Sequence, residues 1–166
     1  LGDKGVWVIQ GWFFFSDNWT PQQGEAYLSG VPNENMLILD LWSESFPMYH
    51  KISAQNIADS DYDGMRQQQQ EGNLSYFGKP FTWNMLHNFG GAMGLYGNSH
   101  NVMHGLDDIR GEANFQGVGV TPEATLQNYP MYEMALELAW YDLSKQSRLD
   151  WFEKYASRRY GIRWAT

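Results

Sequence analysis

The chain has 166 residues, 43% apolar and 16% aromatic, enough to bury a core and too apolar for a disordered segment. Its formal charge of -8 and pI near 4.8 exclude a nucleic-acid backbone or an anionic membrane as partner, since both require a basic patch. The absence of cysteine excludes a disulfide framework, a thiolate nucleophile and a zinc ribbon.

No apolar run approaches the ~18 residues that span a bilayer, and the first residues lack the charged start and apolar centre of a signal peptide. A soluble chain is expected. Gly5 to Trp12, GVWVIQGW, reads as a strand ending in a Gln10-Gly11-Trp12 turn, and Phe13 to Asn18 as an aromatic loop. Thr20-Pro21-Gln22-Gln23 is a capping box with proline at the first helical position, so a helix is expected from about Pro21 to Ser29, ended by Gly30 and Pro32. Met36-Leu37-Ile38-Leu39 then has the bulk of a strand buried on both faces. It stops at Asp40-Leu41-Trp42-Ser43-Glu44-Ser45.

The polar stretch from Ser53 to Ser75 has no apolar period and reads as an inserted surface loop. Phe81 to Leu86 is the third expected strand, followed by His87-Asn88-Phe89-Gly90-Gly91, whose glycines permit close backbone approach. A helix is expected between Ser99 and Arg110, and a fourth strand from Asn114 to Val120. Thr121-Pro122 reads as the start of a helix leading into Met131 to Trp140. Ser147 and Asp150 mark a last helix, running to about Tyr160 and stopped by Gly161.

Strand and helix alternate up to residue 122, and from Glu123 onward the chain is helical only. The expected class is therefore α/β: four strands of a (β/α) barrel, its C-terminal half, over 1–122 with the insertion at about 53–75, then the start of an all-α segment over 123–166. A whole barrel typically takes ~250 residues, so the chain reads as a piece of one.

Barrel chemistry sits at the C-terminal ends of strands. Those ends carry Gln10 and Trp12, Asp40 and Glu44, His87 and Asn88, then Glu123 with Asn128 beyond. Carboxylates, amides, an imidazole and tryptophans suit a sugar, and glycoside hydrolysis needs two carboxylates around an oxocarbenium-like transition state. Spacing alone pairs Glu44 with Glu123; the plainer reading makes Asp40 and Glu44 caps of a surface turn. Trp12 and Trp83 offer faces for a sugar ring, Trp7 and Trp140 suit core packing, and Trp42 is compatible with either.

Three stretches then carry a resemblance: Val6-Trp7-Val8-Ile9-Gln10-Gly11-Trp12, Leu37 to Ser45 and Phe81 to Gly91. In order and spacing they resemble the α-N-acetylglucosaminidases of glycoside hydrolase family 89, and Gly117 to Glu123, Gln127-Asn128 and Arg158-Arg159-Tyr160-Gly161 extend the likeness. The resemblance implies a retaining exo-hydrolase that removes terminal α-linked N-acetylglucosamine from glycans such as heparan sulfate, with Glu44 on the family's nucleophile. It places the acid/base glutamate on a strand upstream of residue 1, in the other half of the same barrel, and so displaces Glu123 from that role.

Glu123 and Asn128 are then expected to bind sugar hydroxyls, the plainer reading of Glu123 being a charge at a helix N-terminus. His87 and Asn88 are expected to bind hydroxyls or to orient Glu44. The resemblance also implies a lysosomal or secreted location, with which the sequons Asn18-Trp19-Thr20 and Asn73-Leu74-Ser75 are compatible. No cofactor and no metal ion enters this reading. Asp59, Asp61 and Asp63 form half of a calcium-loop pattern, but Gln70 stands where the bidentate glutamate belongs. His100 and His104 share ligand spacing without the intervening carboxylate of metalloproteases. The rival function is a noncatalytic glycan-binding or interaction module on the same fold.

Overall fold

The computed structural model describes residues 4–16, 18–52, 74–88, 90, 97–123, 125 and 127–161. The insertion expected over 53–75 lies almost wholly outside the described residues, and with it Asp59, Asp61, Asp63 and the Asn73 sequon.

Four strands form one parallel sheet: β1 (Trp7–Gln10), β2 (Met36–Asp40), β3 (Phe81–Met85) and β4 (Phe115–Val120), in the order β1-β2-β3-β4. An order that never reverses is that of a barrel wall; a doubly wound open sheet reverses at its switch point. Between β1 and β2 runs α1 (Pro21–Ser29), started by the expected capping box, in which Thr20 Oγ1 accepts from Gln23 N at 3.3 Å and Gln23 Oε1 accepts from Thr20 N at 2.9 Å. The connection after β2 opens with the single turn α2 (Met48–Lys51).

The helix expected from Ser99 to Arg110 is shorter, α3 (Ser99–Met103), continuing as turns. In those turns Gly105 lies flat against Trp83, where an added Cβ would stand 2.7 Å from the indole. Helix α4 is Tyr129–Glu137 rather than beginning at Pro122. The proline that starts it is Pro130, while Thr121 is held to β3 by its N–H on Met85 O at 3.0 Å. Helix α5 is Arg148–Tyr160, with Ser147 Oγ accepting from Asp150 N at 3.1 Å and Gly161 ending it at φ 85°.

One core unites these elements. Ile38, Phe81, Trp83 and Met85 from the sheet pack with Met131, Met134 and Ala135 of α4 and Trp151 of α5. The pleat of β3 sorts its residues: Phe81, Trp83 and Met85 are fully buried on the helix side, and Thr82 and Asn84 take the other. The sugar-stacking role expected of Trp83 is thereby corrected, since its ring lies in the core against Gly105. In β2, Met36, Ile38 and Asp40 are buried, while Leu37 and Leu39 on the other face are half-buried within this chain. Helices cover one face of this sheet; in a closed barrel the other face is packed by inward side chains of further strands. Trp7 and Trp140, expected in the core, are 54% and 72% exposed. The first sits on an edge strand, the second in the turn after α4.

Candidate active site

Asp40 ends β2 and is fully buried, so it is no cap of a surface turn. Its carboxylate accepts from Tyr76 OH at 2.6 Å and Met48 N at 3.0 Å, and Ser43 Oγ lies 2.7 Å from Oδ2. Ser43 in turn joins the loop to β3, accepting from Asn84 N at 3.1 Å and donating its own N–H to Asn84 O at 3.0 Å. These bonds pair the buried Asp40 carboxylate and Ser43 hydroxyl. They also fix the backbone that carries Glu44.

Glu44 is 5% exposed, and its carboxylate lies across the end of β3. Leu86 N donates to Oε2 at 3.2 Å and His87 N to Oε1 at 2.7 Å, while Asn101 Nδ2 holds the Glu44 carbonyl at 3.0 Å. His87 adopts φ 62°, a left-handed conformation costly for a residue with a side chain, and in it the N–H bonds Glu44. Burial raises the Glu44 pKa from 4.5 to about 7; the three backbone hydrogen bonds work against that rise, and the charge of Asp40 adds slightly to it. Near neutrality the group therefore exists in both forms. Burial lowers the His87 pKa, which keeps the ring neutral there.

A cavity of about 360 Å³ opens where the four strands end, lined by Gln10 at the end of β1, Leu41 beyond β2, Leu86 beyond β3 and Thr121 beyond β4, together with Trp12 and Glu123. Gln10, Trp12 and Glu123 are thus brought together, beside the loop residue whose N–H bonds Glu44. Trp12 heads an aromatic cluster, stacked on Phe15 at 5.1 Å and tilted against Trp42 at 5.9 Å. A second hollow of about 340 Å³ lies on the α3 side of Glu44, where His100, Asn101, His104 and Asp108 face Ser43 to Ser45.

Asn88 and Asn128 fall elsewhere. Asn88 is fully buried and joins two loops, its Oδ1 accepting from Glu123 N at 3.4 Å and its Nδ2 donating to Gln127 Oε1 at 3.1 Å. Asn128 is the residue before α4, and its carbonyl accepts from Met131 N at 3.0 Å. Glu123 accepts from Gly90 N. Five residues, 124–128, separate it from Tyr129, so it is not a charge on the first turn of α4. His104 Nδ1 lies 2.8 Å from Asp107 Oδ2, and among the described residues no group of three metal-capable side chains occurs.

Sequence reasoning missed Ser43, Tyr76 and Asn101. The first sits beside Glu44 and was within reach of a local reading. The others arrive from 32 and 57 residues further along the chain than Glu44, as subtraction of 44 from each number gives, and no local signal ties them to it.

Four parallel strands in unreversed order, with a buried carboxylate and a cavity at their C-terminal edge, define a segment of a (β/α) barrel. The family model described as the alpha-N-acetylglucosaminidase (NAGLU) tim-barrel domain matches residues 2–142. The chain belongs to that family. It is 34% identical over 163 residues to the human protein named Alpha-N-acetylglucosaminidase, covering 96% of this chain and 19% of that one. Among solved structures it is similar to a family 89 glycoside hydrolase from Clostridium perfringens in complex with PUGNAc (29% identity, TM-score 0.63, 94% of this chain and 14% of that one). It is also similar to a doubly Glu-to-Gln-substituted form of the Clostridium perfringens enzyme in complex with its substrate GlcNAc-alpha-1,4-galactose (28% identity, TM-score 0.66, 96% and 15%). The chain thus spans about a fifth or less of the relatives it matches.

Proposed function

We propose that this chain supplies the nucleophile of a retaining exo-hydrolase that releases terminal α-linked N-acetylglucosamine. The observation that carries the proposal is Glu44: a carboxylate buried at a strand end and held by two successive backbone N–H groups. Ionised, one of its oxygens attacks the anomeric carbon while the glycosidic oxygen leaves with a proton from a second carboxyl. The second carboxyl then takes a proton from water, whose oxygen replaces Glu44 at the anomeric carbon. That acid/base group is supplied by another segment of the full enzyme, and the substitution of two glutamates in the substrate-bound bacterial relative supports a pair of carboxylates.

Gln10, Trp12 and Glu123, which line the cavity, hold the sugar's hydroxyls and apolar face. Asn88 acts through the Glu123 loop, and His87 orients Glu44 through its N–H. The natural substrate is a glycan such as heparan sulfate, and the location is lysosomal or secreted, which an exposed Asn18 in a sequon supports.

The test compares the full enzyme with its Glu44→Ala variant on an activated aryl α-N-acetylglucosaminide, with and without azide. Loss of turnover with return as the β-glycosyl azide identifies the nucleophile of a retaining enzyme. Full activity in the variant removes Glu44 from that role. A noncatalytic glycan-binding module is the second reading, favoured by the aromatic cluster around Trp12; it requires a wild type that binds the sugar and cleaves nothing.

A further inference from the structure

Helix α4 turns Met131, Met134, Ala135 and Leu138 into the core, an i, i+3, i+4, i+7 face. Tyr132 lies one position off that seam, and its ring meets the His87 ring edge-on at 5.6 Å and 76°. The Tyr132 hydroxyl is sealed from solvent and has no hydrogen-bond partner among the described residues. A buried O–H without an acceptor is costly, so its retention calls for a partner in some state of the protein. Burial, and after it the charge of Glu44, push the Tyr132 pKa upward, so the group stays a neutral donor. Two of the three backbone donors on the Glu44 carboxylate come from Leu86 and His87, and the second of these is the residue against which Tyr132 packs.

We propose that Tyr132 is a positioning residue for Glu44: its buried hydroxyl is the donor that turns to the Glu44 carboxylate when that group is ionised. The proposal rests on Glu44 as the nucleophile. It gives the first helix after the sheet a part in the reaction, since the donor reaches Glu44 only while α4 is docked on the His87 loop. With Glu44 neutral the hydroxyl is idle; with Glu44 charged it supplies an O–H donor beside the backbone N–H groups, and charge-assisted bonds of this kind are the stronger ones. Other titratable groups around Glu44 are Asp40 at the end of β2, His87 in the β3 loop, and His100, His104 and Asp108 across the hollow on the α3 side. None of them is removed by the test.

The experiment is the pH profile of kcat/KM for the full enzyme on an activated aryl α-N-acetylglucosaminide, wild type against Tyr132→Phe, with Glu44→Ala and azide alongside. Tyr132→Phe is expected to lower kcat roughly tenfold with KM little changed, and to move the acid limb up by about one pH unit, because ionised Glu44 loses a donor. The unfolding temperature should not fall, since the variant removes an unpaired polar atom. Replacement of Tyr132 by 3-fluorotyrosine, a more acidic phenol of nearly the same shape, should move the limb the other way, and serves if the phenylalanine variant folds poorly. An acid limb unmoved in both proteins overturns the proposal, even if the rate falls with stability. Full activity in Glu44→Ala overturns the underlying assignment instead, whereas a dead, azide-rescued Glu44→Ala beside an unchanged Tyr132→Phe overturns the role of Tyr132 alone.

Discussion

The loops after β2 and β4 each carry a glutamate beyond a strand end, and sequence spacing made the two equivalent. The structure does not. The first loop is bound down by Asp40, Ser43, Tyr76 and Asn84, and its glutamate is buried across the next strand with a pKa raised to about 7. The second leaves Glu123 exposed, accepting from Gly90 N and steadied by Asn88. Burial and a supporting set of hydrogen bonds, rather than residue type or spacing, set the two carboxylates apart.

The sharpest break of that comparison is Glu44→Ala in the full enzyme, expected to cost about a thousandfold or more in kcat, against less than about tenfold in kcat/KM for Glu123→Gln. Similar losses in the two variants, measured on the same aryl glycoside, would restore their equivalence. Next comes the support. Asp40→Ala leaves Tyr76 OH and Met48 N without their acceptor, and should lower stability by about 3 kcal/mol in urea unfolding, with activity falling as Glu44 loses its place.

The raised pKa of Glu44 gives a pH test. The folded chain holds this proton more tightly than the unfolded chain, so the contribution to stability is complete below pH 4.5 and is lost as pH rises through about 7. Glu44→Gln cannot titrate; apart from a constant offset from its poorer fit to two N–H donors, its stability relative to wild type should improve between those limits by up to about 3 kcal/mol. Parallel pH–stability curves for the two proteins would contradict the burial argument. The smallest effect is expected far from either loop, where Thr20→Ala removes the cap of α1 at a cost of about 1 kcal/mol without changing KM.

Much of the fold was legible because its signals are local. Thr20-Pro21-Gln22-Gln23 caps itself within four residues, Ser147 reaches Asp150, and Gly161 takes the positive φ that ends α5. The alternation Phe81-Thr82-Trp83-Asn84-Met85 even held the side on which Trp83 falls; only its indole suggested a sugar platform. Thr121-Pro122 imitates a helix start, but the neighbouring strand takes the Thr121 N–H before a helix can.

The sequence by itself determined the parallel α/β pattern, the positions of four strands and the candidacy of Glu44, all properties of short stretches whose period and caps act on near neighbours. Tertiary structure alone decided which carboxylate is buried, that Asp40 holds the turn carrying Glu44, that Trp140 stays exposed, and that Tyr132 comes to His87. Desolvation and hydrogen-bond satisfaction depend on groups dozens of residues apart, and no local pattern encodes which of those groups the fold brings together.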